Sequence, residues 1–126
     1  MKETYEDFLQ LLKASINKSE VKINNVNWQS ILQLSNIHKV LPLVYEALYK
    51  SEEFKNTDKD FQKYFKTTSM QIIYNQIQRS ERFLQIYEEF NKAGLKILVF
   101  KGIILRELYP IPDERISGDE DLLIKK

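Results

Sequence analysis

Gly94 divides this chain into two textures, and the division limits the folds open to it. Before it, apolar residues recur at helical spacing in one segment after another. After it comes Leu95-Lys96-Ile97-Leu98-Val99-Phe100, short, apolar and partly β-branched, which reads as a strand entering a core. The expected fold is α+β and mostly α. Helices fill residues 1–94, and a first strand–helix–strand unit occupies 95–126.

Local signals divide the helical part. Thr4 can cap a first helix carrying Tyr5, Phe8, Leu9, Leu12 and Ile16 on one face. The polar stretch from Asn17 to Asn25 reads as a loop. Asn27 caps a second helix with Trp28, Ile31, Leu32 and Ser35 on one stripe. Pro42 suits the first turn of a third, carrying Leu43, Val44, Ala47 and Leu48. Ser51 to Thr57 is a charged connection, and Asp58 then opens the longest periodic run. Phe61, Phe65, Thr68, Ile72, Gln76, Arg79, Phe83, Tyr87 and Phe90 lie along one helical face, as one helix or as two with a break near Asn75 to Ser80. This face is the expected wall of the core, and Gly94 is its left-handed cap.

Composition removes several classes of function. The net charge of +1 offers no bulk attraction to nucleic acid or to an anionic membrane. There is no cysteine, hence no disulfide and no thiolate metal site. No apolar run approaches the roughly 18–20 residues of a membrane span, and Met1-Lys2-Glu3 leads directly into an amphipathic pattern. The reading is a soluble, cytoplasmic protein without a membrane partner. His38 is the only histidine and fits a helix end better than a zinc site. Trp28 and the phenylalanines repeat at helical spacing, which suits a core better than a base-stacking platform. Lys59, Lys63 and Lys66 are interspersed with acids, as on a solvated helix face.

The chemistry concentrates near the end. After the first strand, Lys101 and Gly102 stand where a strand meets a helix N-terminus. Backbone N–H groups and the helix dipole favour a phosphate there, glycine permits close approach, and lysine adds charge. "IILRELY" fits about two helical turns, and "PIPDERISG" is a loop carrying Arg115, which could reach a phosphate oxygen. "DEDLLI" reads as a second strand. Side chains alternate along a strand, so Asp119 and Asp121 share a face with Cα atoms roughly 6.5–7 Å apart. Two such carboxylates can converge on Mg²⁺ ions about 3.5–4 Å apart. Asp-x-Asp alone also occurs as two solvated acids; the ordered set around it gives the pattern its meaning.

That set, "VFKGIILRELYP" followed by "RISGDEDLLI", resembles the core of the uncharacterised nucleotidyltransferase family within the polymerase-beta-like nucleotidyltransferase superfamily. "NWQSILQLSNIHKVLPLVYEAL" resembles the helical region preceding that core. The resemblance implies Mg²⁺- or Mn²⁺-dependent transfer, of the two-metal type, of a nucleotidyl group from an NTP to an acceptor that this segment does not identify. By the same likeness Lys101 and Gly102 hold the triphosphate, with Arg115 a further nucleotide-binding candidate, and Asp119 and Asp121 are the catalytic metal ligands. Two departures stand out. The family places an apolar residue between the acids, where this chain has Glu120; a buried unpaired carboxylate is costly, so Glu120 must be exposed, paired or out of the usual register. The third carboxylate of the superfamily has no counterpart before Lys126. The expectation is the N-terminal portion of such an enzyme, inactive alone, forming homo-oligomers through the edges of its two strands. The alternative is a non-catalytic helical protein-interaction module.

Overall fold

A computed structural model describes residues 2–125. The chain forms helices α1 (Lys2–Asn17), α2 (Trp28–Ile37), α3 (Leu41–Leu48), α4 (Glu52–Lys55) and α5 (Lys59–Lys92). Strand β1 (Lys96–Phe100), helix α6 (Gly102–Arg106), a 3₁₀ turn at Pro112–Glu114 and strand β2 (Asp121–Lys125) follow. The fold is α+β and mostly helical. No helix among the described residues is long and apolar enough to cross a membrane. Contacts divide the chain into two compact units, one ending at Gln71 and the other beginning at Ile72, and α5 contributes to both.

The helix boundaries follow from local chemistry. Asn27 Oδ1 accepts from the Ser30 N–H at 3.0 Å, and Asp58 Oδ1 accepts from Asp60 and Phe61 N–H at 2.9 and 3.1 Å. Pro42 lies in the first turn of α3, where its missing N–H costs nothing. Helix α5 is a single 34-residue helix without a break. It closes with Gly94 at φ 77°, where Leu95 N–H reaches the Phe90 carbonyl and Gly94 N–H the Asn91 carbonyl, both at 3.0 Å. The same pair of bonds closes α2 with Lys39 at φ 55° in the glycine's place. His38 is the cap residue of that end, as its position suggests.

Both expectations for α1 change, and the connection expected over Ser51 to Thr57 contains the short helix α4. Thr4 lies inside α1, which already includes Lys2. The buried face of α1 is Phe8, Leu11, Ala14 and Ser15, while Leu9 and Ile16 are exposed. The expected face is thus rotated by about one residue, because α3 packs against α1 from that side and takes Leu11 to full burial. Helix α3 is the centre of the first unit: Leu41, Pro42, Leu43, Val44, Tyr45 and Leu48 are all buried. Around Tyr45 stand Phe54, which is buried, and Phe65, with ring centroids 6.2 and 5.9 Å away. Burial pushes the Tyr45 phenol above its ordinary pKa, with Tyr49 and Glu46 adding to the shift.

The expected core wall along α5 is correct only for its first turns. Phe65 and Ser69 are fully buried, whereas Phe83, Tyr87 and Phe90 are half-buried. Among the described residues, every buried apolar side chain belongs to the first unit. The second unit buries Gln76, Gly102, Arg106 and Glu114 instead. Its strands pair antiparallel, with Lys96 opposite Lys125, Leu98 opposite Leu123 and Phe100 opposite Asp121. Ile97 and Val99 face inward, and Leu98 and Leu123 are exposed.

Candidate functional site

Strand β1 delivers the chain to Lys101, where the direction changes. Lys101 has φ 58° and ψ −126°, a backbone region that glycine enters freely and other residues enter under strain. Helix α6 starts at the next residue. The strained residue therefore stands at the junction of strand and helix, with its side chain 68 % exposed. Gly102 is buried in the turn, and its carbonyl accepts from Arg115 Nη1 at 3.2 Å.

The acidic segment comes back against this turn. Asp121 opens β2 opposite Phe100, and its Oδ2 lies 3.5 Å from Lys101 Nζ. Both groups are substantially exposed, so this pair contributes under about 1 kcal/mol and its partners are easily exchanged. Glu120 turns toward the helix start: its Oε2 accepts from the Ile103 N–H at 2.7 Å, and Ser117 Oγ lies 3.4 Å from its Oε1. Its carboxylate is thus hydrogen-bonded and half-buried, and the departure noted in the sequence leaves no buried acid without a hydrogen-bond partner. Asp119 is exposed and precedes the strand.

Here the expected strand over "DEDLLI" is corrected. It begins at Asp121, because β1 ends at Phe100 and no ladder partner remains for Glu120 or Asp119. The two aspartates therefore flank the strand start and do not share one face of a regular strand. Arg115 braces the turn through the Gly102 carbonyl. Arg106 is buried in its own brace, with Nε donating to the Pro112 carbonyl at 3.2 Å and Nη2 paired with Asp113.

Two residues counted in the sequence only as positions on the apolar stripe also reach this region. Gln76 exchanges two hydrogen bonds with the Ser117 backbone, both 3.3 Å, and Arg79 Nη2 donates to the Gly118 carbonyl. The available signal was a polar pair interrupting a run of Ile, Phe and Tyr on one helix face.

No group of three or more histidine, aspartate or glutamate side chains is poised to hold a metal among the described residues. The two aspartates nevertheless suit Mg²⁺, which is usually held by one or two carboxylates together with waters and substrate phosphates.

Lys101→Gly is expected to stabilise the second unit. Relief of a strained backbone contributes about 1–3 kcal/mol, and the entropy of glycine in the unfolded chain offsets roughly 0.5–1 kcal/mol. Chemical denaturation followed by amide exchange in β1 and β2 checks this; a net loss of stability would mean the lysine conformation carries no strain.

The sequence model of the uncharacterised nucleotidyltransferase family matches residues 24–126. No curated protein and no solved structure matches the chain.

Proposed function

Because the chain belongs to the uncharacterised nucleotidyltransferase family, we propose that it carries the phosphate- and metal-binding portion of a site for nucleotidyl transfer from an NTP. One observation carries the reading: the Lys101–Gly102 turn and the Asp119–Asp121 segment, distant in sequence, come together, with Phe100 paired to Asp121 and Ile103 bonded to Glu120. A phosphate-binding element and an acidic element are what such a transfer must place side by side.

In this reading Gly102 lets the triphosphate approach the backbone and Lys101 neutralises one of its oxygens. The weak Lys101–Asp121 pair and the Glu120–Ile103 contact are exchanged for contacts with the nucleotide. Asp119 and Asp121 would hold Mg²⁺ or Mn²⁺, which when bound would supply positive charge against the phosphate oxygens. Arg115 acts through the turn, since its guanidinium is engaged with the Gly102 carbonyl. In the reaction the acceptor's nucleophile attacks the α-phosphorus, the bond to the α–β bridging oxygen breaks, and pyrophosphate leaves.

Equilibrium dialysis of labelled ATP, GTP, CTP and UTP in turn, with Mn²⁺, tests the proposal. At least one nucleotide is expected to be retained, released by EDTA, and bound about tenfold or more weakly by Asp121→Asn and Asp119→Asn. Equal binding by both variants would remove the acids from the site. Absence of binding for all four nucleotides would favour the interaction module.

A further inference from the structure

We infer that Gln76 and Arg79 of α5 are positioning residues that fix the approach to Asp119 and Asp121; the inference rests on the nucleotidyl-transfer reading for its consequence, though not for its geometry. Ser117 and Gly118 enter the acidic segment outside the β ladder, so no strand satisfies their backbone. Helix α5 does so with side chains. The Gln76 carboxamide nitrogen donates to the Ser117 carbonyl and its oxygen accepts from the Ser117 N–H, each at 3.3 Å. One turn further along, Arg79 takes the Gly118 carbonyl.

The residue types fit this work and not simple filling of space. A carboxamide sets a donor beside an acceptor, so it can pair with both backbone groups of one residue as a neighbouring strand would. Glutamate lacks the donor, and arginine lacks the acceptor. Gln76 is 5 % exposed, on a helix face where an apolar side chain would fill the same volume without polar groups to satisfy. Gly118 makes the need clear. A Cβ added there would meet nothing within 4 Å, so close packing does not call for the glycine. Glycine has the widest choice of backbone angles of any residue, and here it stands directly before Asp119. Anchoring both carbonyls at Ser117 and Gly118 removes that freedom, and the carboxylates that follow are presented from a fixed base.

The experiment uses the full chain and three variants: Gln76→Met, which keeps volume but loses both hydrogen bonds; Arg79→Met, at an exposed helix position tolerant of change; and Arg79→Lys, which keeps a donor. Amide exchange at Ser117 reads the geometry without reference to function. Dialysis of the labelled nucleotide with Mn²⁺ reads the consequence, and thermal unfolding reads general stability. Gln76→Met is expected to lose protection at Ser117 and to bind metal–nucleotide about tenfold more weakly. Arg79→Met is expected to lose affinity as well, with an unchanged unfolding midpoint, and Arg79→Lys to recover most of it. Unchanged Ser117 protection in Gln76→Met overturns the inference, as does unchanged affinity in Arg79→Met alongside strong wild-type binding. Should the wild type bind no nucleotide, the transfer reading falls, and Ser117 exchange alone decides whether α5 holds the loop.

Discussion

Phe65→Ala is expected to cost about 3–5 kcal/mol of unfolding free energy. Phe65 is fully buried on the first half of α5. Its ring stacks on Tyr45 at 5.9 Å and meets Phe54 and Phe61 edge-on at 5.8 and 6.0 Å. Truncation removes apolar surface already withdrawn from water and leaves a cavity walled by three stiff aromatic rings, which cannot close over it by small rotamer changes. Each lost aromatic pair adds about 0.5–1.5 kcal/mol beyond area burial, though not additively. Phe61 supplies the comparison. It is only half-buried, so Phe61→Ala is expected to cost clearly less. Urea denaturation of both variants measures the difference. A cost for Phe65 below about 1 kcal/mol would show that the site collapses, and that the aromatic cluster does not hold the first unit together.

How far the sequence could be read depended on the range of the forces involved. Caps at Asn27 and Asp58, proline in the first turn of α3 and the glycine closing α5 are decided within a few residues, and all four act as their positions suggest. The face of α1 was less legible, since Leu9 and Leu11 are equally apolar and only packing against α2 and α3 decides which is covered. On α5 the periodicity is continuous, yet burial is complete at Phe65 and only partial at Phe83, Tyr87 and Phe90. Periodicity records which side chains share a face, and says nothing of what packs there. The site divides in the same way. Lys101-Gly102 at a strand-to-helix turn was readable from local chemistry. The start of β2 was not, because it depends on where β1 ends. The side-chain pairing of Gln76 with Ser117, 41 residues away, has only a weak trace in the pattern.

Gly102→Ala tests whether the turn and the acidic segment are in contact because of the missing side chain. A Cβ at Gly102 would stand 2.7 Å from Glu120 Cδ and 2.9 Å from the Asp119 carbonyl oxygen, and closer still to Glu120 Oε2. The two obstacles differ in kind. The Glu120 carboxylate can swing away, at the loss of its bond to the Ile103 N–H. The Asp119 carbonyl belongs to the backbone, and moving it means moving the approach to β2. Overpacking of this kind costs about 1–3 kcal/mol, and here the strain falls between the Lys101–Gly102 turn and the acids. The alanine variant is therefore expected to lose both stability in the second unit and metal-dependent nucleotide binding. Glu120→Ala removes the mobile obstacle and leaves the backbone one. In the double variant part of the stability should return, with a coupling of about 0.5–3 kcal/mol between the two positions. Nucleotide binding should return less fully, since the Asp119 carbonyl still meets the new methyl group. Denaturation and dialysis on the four proteins of this cycle separate the terms. Strict additivity in stability would mean that Glu120 does not occupy the space above Gly102, and unimpaired binding by Gly102→Ala would mean that the nucleotide does not depend on this turn.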